Sequence, residues 1–145
     1  MAGRAKKIIR VLLLTGIGGV FAGAGILKVL DPASFATDID HYRLLSWPLV
    51  AAVALYLPWL ECICAAALLS GKFRPAALGL MLAMSLVFLA ALASADVRGL
   101  NISCGCFGGG SGAGHLGLAI ARDVLIIAAI TGCLIAERKD VAQAS

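Results

Sequence analysis

The stretch WPLVAAVALYLPWLECICAAALLS (Trp47–Ser70) is a continuous apolar run whose one charged residue is Glu61. A helix rises 1.5 Å per residue and needs roughly 20 apolar residues to cross a bilayer. The run therefore reads as a membrane span, opened by Ser46 as a cap and by Pro48 in the first turn. A carboxylate near the middle of a span is costly unless it is paired, hydrated or protonated, which makes Glu61 a candidate functional residue. Pro58, three residues earlier, leaves the carbonyl of Ala54 without its usual partner, so a repaired kink is the structural alternative. Cys62 and Cys64 lie about 200° apart around a regular helix and so cannot bond to each other. They read, like Cys133, as small apolar packing residues.

Composition carries the same reading to the whole chain. Its 145 residues are 61% hydrophobic and 14% charged, with a mean hydropathy of +1.00. Soluble domains are nearer 45–50% apolar and about 25% charged. The chain thus reads as a single all-α polytopic membrane domain over residues 1–145, a bundle of four transmembrane helices. The net charge of +4 comes from short basic clusters flanking apolar runs, a pattern of membrane orientation that argues against nucleic acid.

Four spans are expected, at about 8–30, 47–70, 76–95 and 116–136. The first follows Arg4, Lys6, Lys7 and Arg10 and reads as a retained signal anchor, too long for a cleaved leader. Gly16, Gly19 and Gly23 give it a small-residue face suited to close helix packing or self-association, and Gly79 with Ala83 gives the third span a similar edge. Asp31-Pro32 ends the first span. Phe35, Ile39 and Tyr42 then recur at helical spacing opposite Thr37, Asp38, His41 and Arg43. That pattern predicts a short amphipathic helix along the membrane surface, with its His41-Tyr42-Arg43 end toward water or headgroups. The fourth span needs residues before Arg122 and Asp123 to cross, so Arg122 falls within the outer part of the bundle. For Arg122, and more so for Lys28, the plain expectation is a long stem carrying its charge to the interface.

Eight of the twelve Lys and Arg residues flank one side of these spans: Arg4, Lys6, Lys7, Arg10, Lys72, Arg74, Arg138 and Lys139. The positive-inside rule then predicts cytoplasmic termini and outward-facing loops after the first and third spans. The second of these loops contains Ser103-Cys104-Gly105-Cys106-Phe107-Gly108 and a glycine-rich run to Gly114. Two thiols one glycine apart can close only through a small bent ring, and strain makes such a bridge easier to reduce. Cys104 and Cys106 are therefore the candidate redox pair of a thiol–disulfide oxidoreductase, with Arg43, Arg98 or Arg122 available to stabilise a thiolate. A static clip is the alternative. So is a metal-handling protein using Cys104, Cys106, His115 and His41, although that set lacks paired ligand spacing and no metal is expected. A bilayer-dissolved quinone is a candidate electron acceptor, with Trp47, Tyr56 or Trp59 as stacking surfaces.

Lys28 before Asp31-Pro32, Phe35, Tyr42-Arg43-Leu44, Pro58-Trp59-Leu60-Glu61, Cys104-Gly105-Cys106-Phe107-Gly108 and Arg122-Asp123 together resemble the methylamine utilisation protein MauE family, related to DoxX-like membrane proteins. The resemblance covers nearly the whole chain. It implies a four-helix bacterial inner-membrane protein that serves maturation, processing or transport of the disulfide-rich methylamine dehydrogenase light subunit. On that footing the partners would be a periplasmic disulfide-containing client or a thioredoxin-like protein. The resemblance points to Cys104 and Cys106 as the redox pair, and to Glu61, Tyr42 and Arg43 as family-pattern positions. Glu61, about 14 residues from Trp47, is expected roughly 20 Å below the outer surface, out of reach of the CGC loop.

Overall fold

Asp31 and Pro32 divide the first hydrophobic stretch into two unequal helices. In the computed structural model, which describes residues 2–99 and 116–144, α1 spans Ala2–Leu30 and α2 spans Pro32–His41. Asp31 caps α2, its carboxylate accepting from the Ser34 backbone N–H at 3.0 Å, and Pro32 takes the first-turn position where a missing N–H costs nothing. Three long helices follow: α3 (Trp47–Ser70), α4 (Arg74–Val97) and α5 (Leu116–Ala144). Among the described residues, four helices are long and apolar enough to cross a membrane, over Lys7–Leu30, Trp47–Ser70, Arg74–Val97 and Gly117–Lys139. The chain is all-α, with no strand among the described residues. The last two helices run a few residues further than the expected 76–95 and 116–136.

Pro58 lies inside α3 without ending it. Ser46 holds the cap position in an extended conformation, but its hydroxyl makes no capping hydrogen bond. Gly71, at φ 81°, closes α3 in the left-handed region that a side chain would strain.

Packing is uneven. α1 lies closely along α3, and α4 along α5, while the two pairs touch each other more sparsely. The tight seam between α1 and α3 rests on two glycines. A Cβ at Gly18 would come within 2.8 Å of Leu69, and one at Gly25 within 2.7 Å of Cys62 Sγ and 2.9 Å of the Pro58 carbonyl oxygen. The expected packing face of Gly16, Gly19 and Gly23 is instead open: a Cβ added at any of them would meet no other part of the protein within 4 Å, and the same holds at Gly79. Helical phase explains the difference: the buried stripe of α1 runs through Leu14, Ile17, Gly18, Phe21, Gly25 and Lys28, and the other glycines fall off it.

One apolar core holds Leu14, Phe21, Cys64, Leu68, Met81 and Ile130. Cys64 and Cys133 are both part of it, while Cys62 faces Gly25 across the seam. Two smaller clusters organise the other end. Phe35 and Ala36 of α2 pack on Val50 and Ala54 of α3. Tyr42 packs with Leu92 and Ala95 of α4, and Ala119 and Ile120 of α5 lie against them. Thus α2 packs on α3, and Tyr42 just beyond it reaches the ends of α4 and α5. The placement of Tyr42 corrects the expectation that the His41-Tyr42-Arg43 end faces water. Tyr42 is 6% exposed and meets Phe88 edge-on at 6.4 Å, because it continues the apolar face of Phe35 and Ile39. His41 and Arg43 are exposed.

Candidate functional site

A carboxylate inside a span needs a partner, and Glu61 finds one on α1. Lys28 Nζ donates to both carboxylate oxygens, at 2.7 and 3.0 Å. The residues are 8% and 7% exposed. This corrects the expectation that Lys28 reaches for the interface. Gly25, one turn before Lys28, lets α1 come close enough to α3 for a short, two-pronged contact. The ammonium also sits 4.8 Å from the centroid of the Phe35 ring. Lys28 is thereby held by a carboxylate from α3 and an aromatic face from α2, an arrangement favoured by electrostatics on both sides.

The pair borders a small chamber of about 90 Å³ between the helices. Ser85 of α4 and Arg122 and Asp123 of α5 line it as well. Ser85 and Asp123 are buried, and Arg122 is half-buried. The chamber gathers two cations and two carboxyl groups, so its formal charge cancels. Charged residues at this depth of a span mark functional sites more often than scaffolding.

Beside it lies a larger, mostly apolar cavity of about 670 Å³ between α2, α3 and α4. Lys28, Phe35, Leu57, Met84 and Phe88 border both spaces. Ala83, Val87 and Ala90 line the cavity's outward edge and are exposed, Val87 by 72%. Asp38 and Tyr42 line the wall formed by α2. Partial burial pushes the Asp38 carboxyl above its ordinary value, with His41 pulling it back and Asp31 adding to the rise.

The end of α2 is fastened to α4. Arg98 Nη2 donates to the Tyr42 carbonyl oxygen at 2.5 Å, and Nε donates to the Ser94 carbonyl at 3.1 Å. Arg43 sits just beyond, at φ 49°, and its backbone N–H closes α2 onto Asp40. At the opposite end of the bundle, Arg10 pairs with Glu137 and ties α1 to α5.

Of the sequence candidates, the fold brings Glu61 and Arg122 to one chamber and Tyr42 to the neighbouring cavity. Arg43 remains on the surface. Cys104 and Cys106 lie outside the described residues. Trp47, Tyr56 and Trp59 are 61%, 76% and 59% exposed and line neither space; the aromatic walls are Phe21, Phe35, Phe88 and Tyr42. Sequence reasoning quoted Lys28 and Asp123 within the family pattern, with no partner for either, and gave Ser85 and Phe88 no role. The signal for Lys28 was its place three residues after Gly25 on the buried stripe of α1.

The sequence profile of the family described as Methylamine utilisation protein MauE matches residues 6–136. The chain belongs to the MauE family. A curated relative, Methylamine utilization protein MauE of Methylophilus methylotrophus, is 40% identical over 88 residues, or 60% of this chain and 46% of the relative. This MauE-family chain thus spans about half the length of the curated relative it matches. No solved structure matches it.

Proposed function

We propose that this MauE-family chain is a multi-pass inner-membrane accessory protein of methylamine utilisation. It supports thiol–disulfide exchange and maturation of an extracytoplasmic client, the methylamine dehydrogenase light subunit. Both termini are cytoplasmic, and the connection bearing Cys104 and Cys106 faces outward. The observation that carries the reading is where this connection attaches. The last turns of α4 and the first turns of α5 pack together about Tyr42, at the end of the bundle away from the cluster of Arg4, Lys7, Arg10, Arg138 and Lys139. Charge asymmetry of this kind supports an extracytoplasmic location for that end, where disulfides persist.

In the exchange, a client thiolate attacks one sulfur of the oxidised Cys104–Cys106 pair. The S–S bond breaks as a mixed disulfide forms, and the client's second thiolate then displaces the bound sulfur. The client leaves with a disulfide, and the pair has taken up two electrons and two protons. Single Cys104→Ser and Cys106→Ser variants test this in membranes treated with an alkylating reagent before and after mild reduction. In one variant the remaining thiolate is expected to attack the client's disulfide, the exchange run in reverse, and to hold that client as a mixed disulfide as the client's other sulfur leaves as a thiolate. A wild-type pair that resists mild reductant and labels only after denaturation, with neither variant trapping a client, would refute the exchange.

A further inference from the structure

The two adjoining spaces differ in polarity, and one ligand chemistry suits both. We infer that together they form a binding site for an isoprenoid quinone entering from the bilayer between α3 and α4. The larger cavity, about 670 Å³, lies within the range that holds a drug-sized molecule. Its lining is mostly apolar, and its outward edge is formed by Ala83, Val87 and Ala90, exposed side chains on a helix long and apolar enough to span a membrane. A ligand arriving there comes from the hydrocarbon phase.

The inner chamber decides what kind of head the ligand carries. At about 90 Å³ the chamber is small, and its charge rather than its size separates a neutral head from a phosphodiester. Its charges cancel: Lys28 answers Glu61 at 2.7 Å, and Arg122 is balanced by Asp123 in the same lining. A net anionic head would find no excess positive charge, whereas a neutral head with carbonyl oxygens meets hydrogen-bond donors. Lys28 lies on the shared border, where its ammonium can donate to such an oxygen while remaining paired with Glu61. Phe35 and Phe88 stand at the same border and offer ring faces or edges to a flat conjugated head. Compact dicarbonyl ring and long apolar tail are the two parts of a membrane quinone. As a bound ligand the quinone rests on these two spaces alone, independently of the exchange proposed above.

Full-length protein in nanodiscs of quinone-free phospholipid, titrated with decylubiquinone against empty nanodiscs, tests the site. Saturable binding is expected. Ala83→Phe, which fills the lipid-side mouth without touching the ion pair, should weaken it by about tenfold or more. The double variant Lys28→Met/Glu61→Leu, which removes the donor without stranding a charge, should weaken it similarly. Trp59→Leu on the outward face should leave it unchanged. The Cys104→Ser/Cys106→Ser double variant should still bind, which separates failure of the site from failure of the exchange chemistry. Partitioning no greater than into empty nanodiscs, equal binding by Ala83→Phe, or a tightly held phospholipid that decylubiquinone fails to displace would each overturn the assignment.

Discussion

Removing either partner of the Lys28–Glu61 pair should be far worse than removing both. The ammonium touches both carboxylate oxygens within 3.0 Å, and neither residue is more than 8% exposed. In the Lys28→Met variant Glu61 is left as a lone buried carboxylate. Its escape is to take a proton, which from an ordinary carboxyl value costs about 4 kcal/mol at pH 7. In Glu61→Leu the stranded ammonium must instead lose a proton, at a cost of about 5 kcal/mol. Both figures agree with the roughly 3–5 kcal/mol lost when a buried pair is broken from one side. Replacing both residues leaves no charge behind and should be close to neutral, or stabilising by about 1–4 kcal/mol.

Reversible unfolding in mixed micelles, followed by the fluorescence of Trp47 and Trp59 on α3, measures all four corners of this cycle. The pH dependence adds a second signature. The Lys28→Met deficit should shrink on acidification, and the Glu61→Leu deficit should shrink at alkaline pH. Single variants within about 1 kcal/mol of wild type, or a double variant as unstable as either single, would refute the coupling on which the site is built.

Two further expectations concern the scaffold. Gly25→Ala sets a methyl group 2.9 Å from the Pro58 carbonyl oxygen, which the backbone cannot easily yield; it should cost about 1–3 kcal/mol, as overpacking does, and part Lys28 from Glu61. Gly16→Ala, with open space around it, should be neutral or stabilising by up to about 1 kcal/mol, and the same unfolding assay distinguishes the two. Asp38 supplies a pH dependence of definite sign. Its folded-state value is raised, so the folded protein holds this proton more tightly, and stability falls as pH rises through that value and returns on acidification toward the unfolded value. Asp38→Asn should flatten this part of a pH series of melting temperatures; an unchanged slope would remove Asp38 as its source.

The long apolar runs made the four spans legible, because span length is dictated by bilayer thickness and helix rise. Asp31-Pro32 likewise announced the break that produces α2. Glu61 stood out for a related reason: a charge inside a span requires an answer. What answered it was hidden, since a lysine two residues from the end of a span has two physically reasonable fates. Choosing between them needed the rotational phase of α1, and the eye was drawn to the closely spaced Gly16, Gly19 and Gly23 rather than to Gly18 and Gly25, seven residues apart on the packed face. Pairing between helices is also invisible to periodicity, so Ser85, Phe88 and Asp123 gave no sign that they would meet around one chamber. Tyr42 was half legible. Its spacing from Phe35 and Ile39 placed it on the apolar face, while its charged neighbours suggested water.

The break at Asp31 has a consequence for how the wall of the bundle meets the two leaflets. Toward the basic end, α1 is locked to α3 through glycine and to α5 through Arg10 and Glu137. Toward the other end, that column is replaced by a ten-residue brace slung across to α4 and tied there by Arg98. The large cavity walled by Asp38, Ile39 and Tyr42 therefore lies under this brace, and cutting the Arg98 tie would loosen its cover while leaving the Arg10–Glu137 contact in place.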